Sequence, residues 1–230
     1  MDETNKNWPQ FFETSIARAG GASQWLENKW KSHQAVYDVL EQLAPKGKMF
    51  EIGCGMAATS IAMSFRGLSC TALDNDSDVL RLAGKLSQEV HAKTTFVQGD
   101  MFDLARFLGQ FDIVYSGGVL EHLDEKSAVK LLAEQGNVAR YVVTVIPTKS
   151  EEQKAPIPRY PYGVRALVDF GTKAGLKSHS VLLFKGIEPK HYVVDEQNNI
   201  DDFIVSLNKI SAQRIGVVFE KATDFSKVRG

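Results

Sequence analysis

Cysteine is almost missing from this chain of 230 residues, which has two, Cys54 and Cys70. They show neither zinc spacing nor the number that a disulfide framework needs, so both read as reduced thiols. Neither charge is in excess, because 27 Lys and Arg stand against 28 Asp and Glu, and that balance argues against a nucleic-acid partner. No apolar run is long enough to span a bilayer. The N-terminal MDETNKNWPQ is polar and acidic where a secretory signal is basic and then apolar, so no membrane association is expected and the cytoplasm is the expected location. His33, His91, His122, His179 and His191 are scattered and lack ligand spacing with acids or thiols, so no metal is expected. Internal repeats, low-complexity tracts and strong linkers are also missing, and nothing in the chain specifies an oligomeric state.

What the chain does have is alternation. Leu26, Trp30, His33, Tyr37, Leu40 and Leu43 recur at helical spacing before Pro45 and Gly47, and a shorter helical piece surrounds Phe11, Phe12 and Ile16. Strand-like runs follow at 48–53, 69–73, 94–98, 111–116 and 140–146, separated by helical segments near 57–66, 77–91 and 124–137. Such alternation predicts a parallel sheet with helices on both faces. After the proline-rich TKSEEQKAPIPRYP, read as a surface loop, come a helix at 162–174, a strand at 177–185, a helix near 200–210 and a strand at 214–220. The last strand is placed to insert antiparallel beside its neighbour. The length suits one well-buried α/β domain.

The run MFEIGCGMAATS, Met49 to Ser60, reads as a buried strand that stops at a carboxylate, crosses a glycine turn and opens a helix. Gly53 and Gly55 remove side chains where an extended, nucleotide-like cofactor would pass. Glu51 separates the cofactors, because a carboxylate two residues before the first glycine suits a cationic, amino-bearing ligand better than a pyrophosphate. That points to S-adenosylmethionine. A nicotinamide dinucleotide is the rival, since Gly53, Gly55 and Ala58 also satisfy G-x-G-x-x-A; Glu51 argues against it.

Three further loops follow strand ends, where open α/β sheets bind ligands. In TALDNDSDVL, Asp74 lies about twenty residues after the glycines, a position from which an acid can accept ribose hydroxyls; Asp74 or Asp76 can equally cap the next helix. In FVQGDMFDL, Asp100 can accept from an exocyclic adenine amine while Met101 offers apolar contact, though GDMF also reads as an ordinary strand-to-helix turn. In FDIVYSGGVLEHL, Ser116 and Gly117 leave the backbone open before Glu121 and His122.

These residues resemble the class I S-adenosylmethionine-dependent methyltransferases, in particular the small-molecule branch with an L-E-H segment after the fourth strand. The specific motifs cover residues 48–146, and the order of elements extends the likeness to 220. The family's usual third glycine falls at Ala57, a departure that keeps the side chain small. The resemblance implies a Rossmann-like, doubly wound, mostly parallel seven-stranded sheet with an antiparallel last strand. It implies a helical cap or lid over residues 1–45 and a cofactor-binding domain over 46–230. It assigns Glu51, Gly53, Cys54, Gly55, Asp74, Asn75, Asp100, Met101, Ser116 and Gly117 to S-adenosylmethionine.

Methyl transfer to an O, N or C atom of a small metabolite is the implied activity. A protein methyltransferase and a non-catalytic cofactor-binding sensor or scaffold are the alternatives. His122 is the candidate base, having a suitable ordinary pKa, although a histidine at this turn can also be structural. Substrate contacts are expected from Trp30, His33 and Tyr37 on one helical face, from Glu121, and from Arg159, Tyr160, Tyr162 and Arg165 in PRYPYGVR. The bland reading of both groups is packing.

Overall fold

A computed structural model describes residues 7–147, 159–185, 188–193 and 214–221. The chain opens with two helices, α1 (Trp8–Ala19) and α2 (Ala22–Leu43). The alternating part runs β1 (Lys48–Ile52), α3 (Ala58–Phe65), β2 (Ser69–Asp74), α4 (Ser77–Glu89), β3 (Thr94–Gln98), β4 (Phe111–Gly117), α5 (Glu125–Val138) and β5 (Ala139–Pro147). It ends with α6 (Val164–Lys173), β6 (Leu176–Lys185), β7 (Glu188–Val193) and β8 (Arg214–Lys221). The helix expected near 200–210 and most of the proline-rich loop, residues 148–158, lie outside the described residues.

One sheet results, in the order β3-β2-β1-β4-β5-β8-β6-β7. The pairs from β3 to β5 are parallel, whereas β8 runs antiparallel to both β5 and β6. All seven expected strands are present, with the last one reversed. An eighth, β7, passed unnoticed in the sequence and extends the sheet as a hairpin with β6. The chain builds outward through β2 and β3 on one side of β1, then returns to β4 and β5 on the other. The resulting switch point between β1 and β4 opens a crevice at their carboxyl ends.

Both faces are covered, which is why the central strands carry near-continuous apolar runs. Met49, Phe50 and Ile52 are all fully buried. Phe50 and Ile52 pack with Val114, Leu131 and Leu167 beneath α5 and α6, while Met49 packs with Val36, Leu40, Met63 and Ile113 beneath α2 and α3. Side-chain caps start two of the helices. Asp76 accepts from the N–H groups of Asp78 and Val79 at α4, and Asp124 accepts from Ser127 N–H at α5. Asp76 is therefore the cap, and Asp74 is left for other work. Gly20 and Gly21, both at positive φ (91° and 121°), turn the chain sharply from α1 to α2.

Candidate functional site

At Ile52 the chain leaves the sheet through a turn in which Gly53, Gly55 and Ala57 all take left-handed backbone angles, with φ of 61°, 51° and 53°. Two bonds pin this turn against β2. Cys54 N–H donates to Leu73 O (3.0 Å), and Gly55 N–H donates to Asp74 Oδ2 (2.9 Å). Helix α3 then starts from Ala57, which has no side chain able to cap it. Glu51 supplies the missing acceptor from below: its Oε2 accepts from Ser60 N–H at 2.8 Å.

Only 5% of Glu51 is exposed, and burial pushes its carboxyl up to about 7 against the opposing pull of bonds from Ser60 and Thr59. Across the ladder Glu51 pairs with Tyr115. Burial raises the Tyr115 phenol, helped by Glu51, and also raises the Tyr37 phenol, helped by Tyr115 and Glu51, so both rings remain neutral donors. Burial likewise raises the Asp74 carboxyl, opposed by the Gly55 and Asp76 N–H groups. Asp100 accepts from Phe102 N–H at 2.8 Å, which fixes the third loop.

These tips border a cavity of about 820 Å³. It is lined by Glu51, Gly53, Cys54, Gly55, Asp74, Asn75, Asp100, Met101 and Gly117, and also by His33, Tyr37, Glu121, His122, Arg159 and Tyr160. The buried Glu121 and its neighbour His122 sit on a 3₁₀ turn, with His122 Nε2 4.0 Å from Glu121 Oε1 and the imidazole edge-on to Trp8. The Tyr160 N–H donates to Glu121 O (2.6 Å), joining the far loop to this turn.

Four expected residues lie elsewhere. Ser116 is fully buried with its hydroxyl beside Thr144 (3.4 Å) and does not reach the cavity. Trp30 packs on Tyr37 and Phe65 instead, because the lining stripe of α2 is Trp25, Lys29, His33 and Tyr37 at strict spacing of four, and Trp30 falls about 100° around the helix from Lys29. Tyr162 is a strut: its hydroxyl donates to Leu123 O (2.9 Å) and its ring meets Phe170 edge-on. Arg165 points along the exposed side of α6 toward Asp169, one turn on (3.6 Å).

The glycines also have a packing reason. A Cβ at Gly53 would lie 2.8 Å from Val119, one at Gly55 would lie 2.7 Å from Phe12, and one at Gly117 would strike the Tyr115 ring. The protein's own side chains thus stand against these glycines, which also line the cavity. The sequence reading missed Thr59, Tyr115, Lys29 and Arg214 as lining residues. Tyr115 had a signal, being a phenol directly after the aliphatic pair Ile113 and Val114 at the carboxyl end of a strand. Arg214 had none, since only the reversed pairing of β8 opposite Pro147 brings it to this end of the sheet.

The reversed β8, the glycine turn after β1 and the acids at the tips of β1, β2 and β3 are the features that the resemblance to class I methyltransferases led one to expect. Residues 49–141 match the family model described as a methyltransferase domain, which supports the resemblance of this part of the chain to the class I S-adenosylmethionine-dependent methyltransferases. It is similar to ajmaline N-methyltransferase of Rauvolfia serpentina (29% identical, 43% of this chain and 34% of that protein). It is also similar to 8-hydroxyquercetin 8-O-methyltransferase of Mentha piperita (30%, 53% and 29%) and to ubiquinone biosynthesis O-methyltransferase of Erwinia tasmaniensis (33%, 38% and 37%). The chain thus matches only about a third of the length of these relatives. Among solved structures it is similar to magnesium protoporphyrin IX methyltransferase of Synechocystis PCC 6803 with S-adenosylhomocysteine bound (TM-score 0.62, 14% identity, 92% of this chain and 87% of that one). Geranyl diphosphate C-methyltransferase of Streptomyces coelicolor gives a TM-score of 0.59 at 12% identity, covering 83% and 81%. At these identities the likeness is one of fold. No helix among the described residues is long and apolar enough to cross a membrane, and no group of potential metal ligands occurs among them.

Proposed function

We propose that this protein transfers a methyl group from S-adenosylmethionine to an O, N or C atom of a small metabolite. The observation that carries this is the row of carboxylates at three neighbouring strand tips, Glu51, Asp74 and Asp100, on one wall of a cavity large enough for cofactor and acceptor together. The donor set fits the cofactor. Asp74 takes backbone N–H groups from Gly55 and Asp76, with Asn75 N–H also acting on it, and a carboxylate has about four acceptor sites, so capacity is left for a ribose hydroxyl. Glu51 would hold the amino group and Asp100 the adenine amine. A pyrophosphate would have to pass the buried Glu51, which disfavours the nicotinamide alternative.

When bound, S-adenosylmethionine supplies an electrophilic methyl group on a sulfonium sulfur, so the protein's work is alignment and exclusion of water. Residues 1–45 would act as the cap, because Trp8, Phe11 and Phe12 of α1 line the cavity and Phe12 lies over Gly55. His122 would take the acceptor's proton as the new bond forms, and the Glu121 carboxylate beside it would stabilise the resulting imidazolium. His122→Gln should lower turnover about 100-fold while leaving cofactor affinity unchanged. Unchanged turnover would remove His122 from the chemistry.

The test of the whole reading is calorimetric titration with S-adenosylmethionine and NADH, followed by incubation of the protein with methyl-labelled S-adenosylmethionine and a metabolite extract. A labelled product of increased mass is expected. NADH heat without S-adenosylmethionine heat would overturn the cofactor, and an inert extract at full cofactor occupancy would favour a sensor or scaffold.

A further inference from the structure

Three large apolar or aromatic side chains are exposed among the described residues, Phe65, Leu108 and Tyr160, and of these only Tyr160 lines the cavity. It is 45% exposed, yet it is firmly held. Its N–H donates to Glu121 O at 2.6 Å, Tyr162 N–H donates back to its carbonyl at 2.9 Å, and Pro161 fixes the backbone angle between them. Its ring lies nearly parallel to that of Tyr162, with centroids 5.6 Å apart and planes 9° off. Tyr162 is itself anchored, through its hydroxyl to Leu123 O and edge-on to Phe170 of α6. One face of the Tyr160 ring therefore rests on a rigid support, and the exposure that remains leaves the other face open.

We propose that the methyl acceptor is a planar aromatic molecule and that it stacks on the open face of Tyr160. This rests on the methyl-transfer reading above. The acids assigned to the cofactor stand at the tips of β1, β2 and β3, whereas Tyr160 is tied to the turn after β4, on the side of β1 away from β2. The ring thus stands outside the stretch of the cavity given to the cofactor, and its backbone partner Glu121 is the neighbour of His122. Trp8 meets His122 edge-on at 5.8 Å, so a second aromatic side chain borders the same turn from α1.

Covering Tyr162 needs only an apolar side chain, so packing does not call for an aromatic ring that stays exposed. A ring already held by its neighbours loses little freedom when a ligand lands on it, and a flat partner gains the stacking at small entropic cost. A saturated or flexible acceptor would bury comparable area without the ring-on-ring attraction, which is worth about twofold to tenfold in affinity. An acceptor of this class would lie with its ring on Tyr160 and its nucleophilic atom toward the cofactor.

The test uses the full chain saturated with S-adenosylhomocysteine, titrated calorimetrically with naphthol and with decahydronaphthol, which has the same carbon skeleton and hydroxyl but no flat ring. Naphthol should bind about threefold or more tightly, although buried area by itself favours the saturated compound. Tyr160→Leu, which keeps an apolar cover over Tyr162, should abolish that preference, while Tyr160→Phe and Tyr160→Trp should keep it. All three variants should bind S-adenosylhomocysteine within about twofold of the parent, which also shows that they are folded. The proposal is overturned if neither compound binds, if decahydronaphthol binds as tightly as naphthol, if Tyr160→Leu keeps the preference, or if Tyr160→Phe loses it. A Tyr160→Leu protein that is folded by circular dichroism but loses S-adenosylhomocysteine would give the ring to the cofactor and overturn it as well. Failure of the parent to bind S-adenosylhomocysteine sinks the methyl-transfer reading itself, whereas binding it without the aromatic preference sinks the stacking proposal alone.

Discussion

Glu51 has two tasks that pull its chemistry apart. It satisfies the N-terminal turn of α3 through Ser60 N–H, and in the proposed function it also presents an acid to a cationic ligand from a place where ionisation is costly. Because its carboxyl is displaced upward from 4.5 to about 7, the folded state binds more protons than the unfolded chain across that interval, so stability falls as pH rises through it. At pH 8 the cost is fully expressed, on the order of 3 kcal/mol for such a displacement. Glu51→Gln keeps an oxygen for Ser60 but sheds the charge. It should match the parent in stability near pH 4.5 and exceed it by about 1–3 kcal/mol at pH 8, read from denaturant midpoints. Equal stabilities at both pH values would show that Glu51 is not buried at a cost.

Ala57 gives a second residue-scale expectation. Its left-handed angles strain an alanine by about 1 kcal/mol, while a glycine there would lose a buried methyl and gain freedom in the unfolded chain, effects of about the same size. Ala57→Gly should therefore lie within about 1 kcal/mol of the parent, whereas the β-branched Ala57→Val should cost more than about 2 kcal/mol. The sequence could show that the family's third glycine had become alanine, but not that the alanine still adopts the glycine conformation.

At the scale of elements, α1 is the one long helix among those described that contributes no fully buried residue. It is held by Phe12 and Ile16 on the patch around Trp25 and Met56, and by the Trp25 indole donating to Ser15 Oγ (3.0 Å). Removing residues 1–20 should leave the sheet intact. In the proposed role of a cap that excludes water from the reacting centre, its removal should weaken S-adenosylhomocysteine binding less than about tenfold and cut methyl transfer about 100-fold or more. Equal losses in both would make α1 part of the cofactor site instead. The elements themselves were legible because buried parallel strands and amphipathic helices differ in period, and because Asp76 and Asp124 sit where caps must sit. The cavity lining was legible where a residue ends or closely follows a strand in sequence, as with Glu51, Asp74, Asp100 and His122. It was not legible where tertiary pairing decides. Trp30 and His33 share a helical face in one dimension but part company once the stripe through Lys29 and Tyr37 meets the sheet. Tyr162 and Arg165 look like ligands in PRYPYGVR and prove to be a strut and a surface ion pair.

Across the whole molecule, a net charge near zero conceals a cavity lined by acids and bases together, and the buried Glu51 among them couples ligand, proton and stability. S-adenosylhomocysteine brings an ammonium group, and if Glu51 receives it, the carboxyl must be ionised in the complex. Below pH 7 the free protein holds that proton, so binding must release it, and affinity should fall about tenfold between pH 8 and pH 6. A ligand at 100 times its dissociation constant stabilises by about 2.7 kcal/mol, or roughly 5–10 °C in melting temperature for a chain of this size. At the same ligand concentration the gain at pH 6 should be about half that, since a tenfold loss of affinity removes about 1.4 kcal/mol. Calorimetry at pH 6 in two buffers of different ionisation heat should count close to one proton released, and Glu51→Gln should release none. An affinity that stays level from pH 6 to pH 8 in the parent protein would mean that Glu51 serves only the α3 terminus and that the ammonium is held elsewhere.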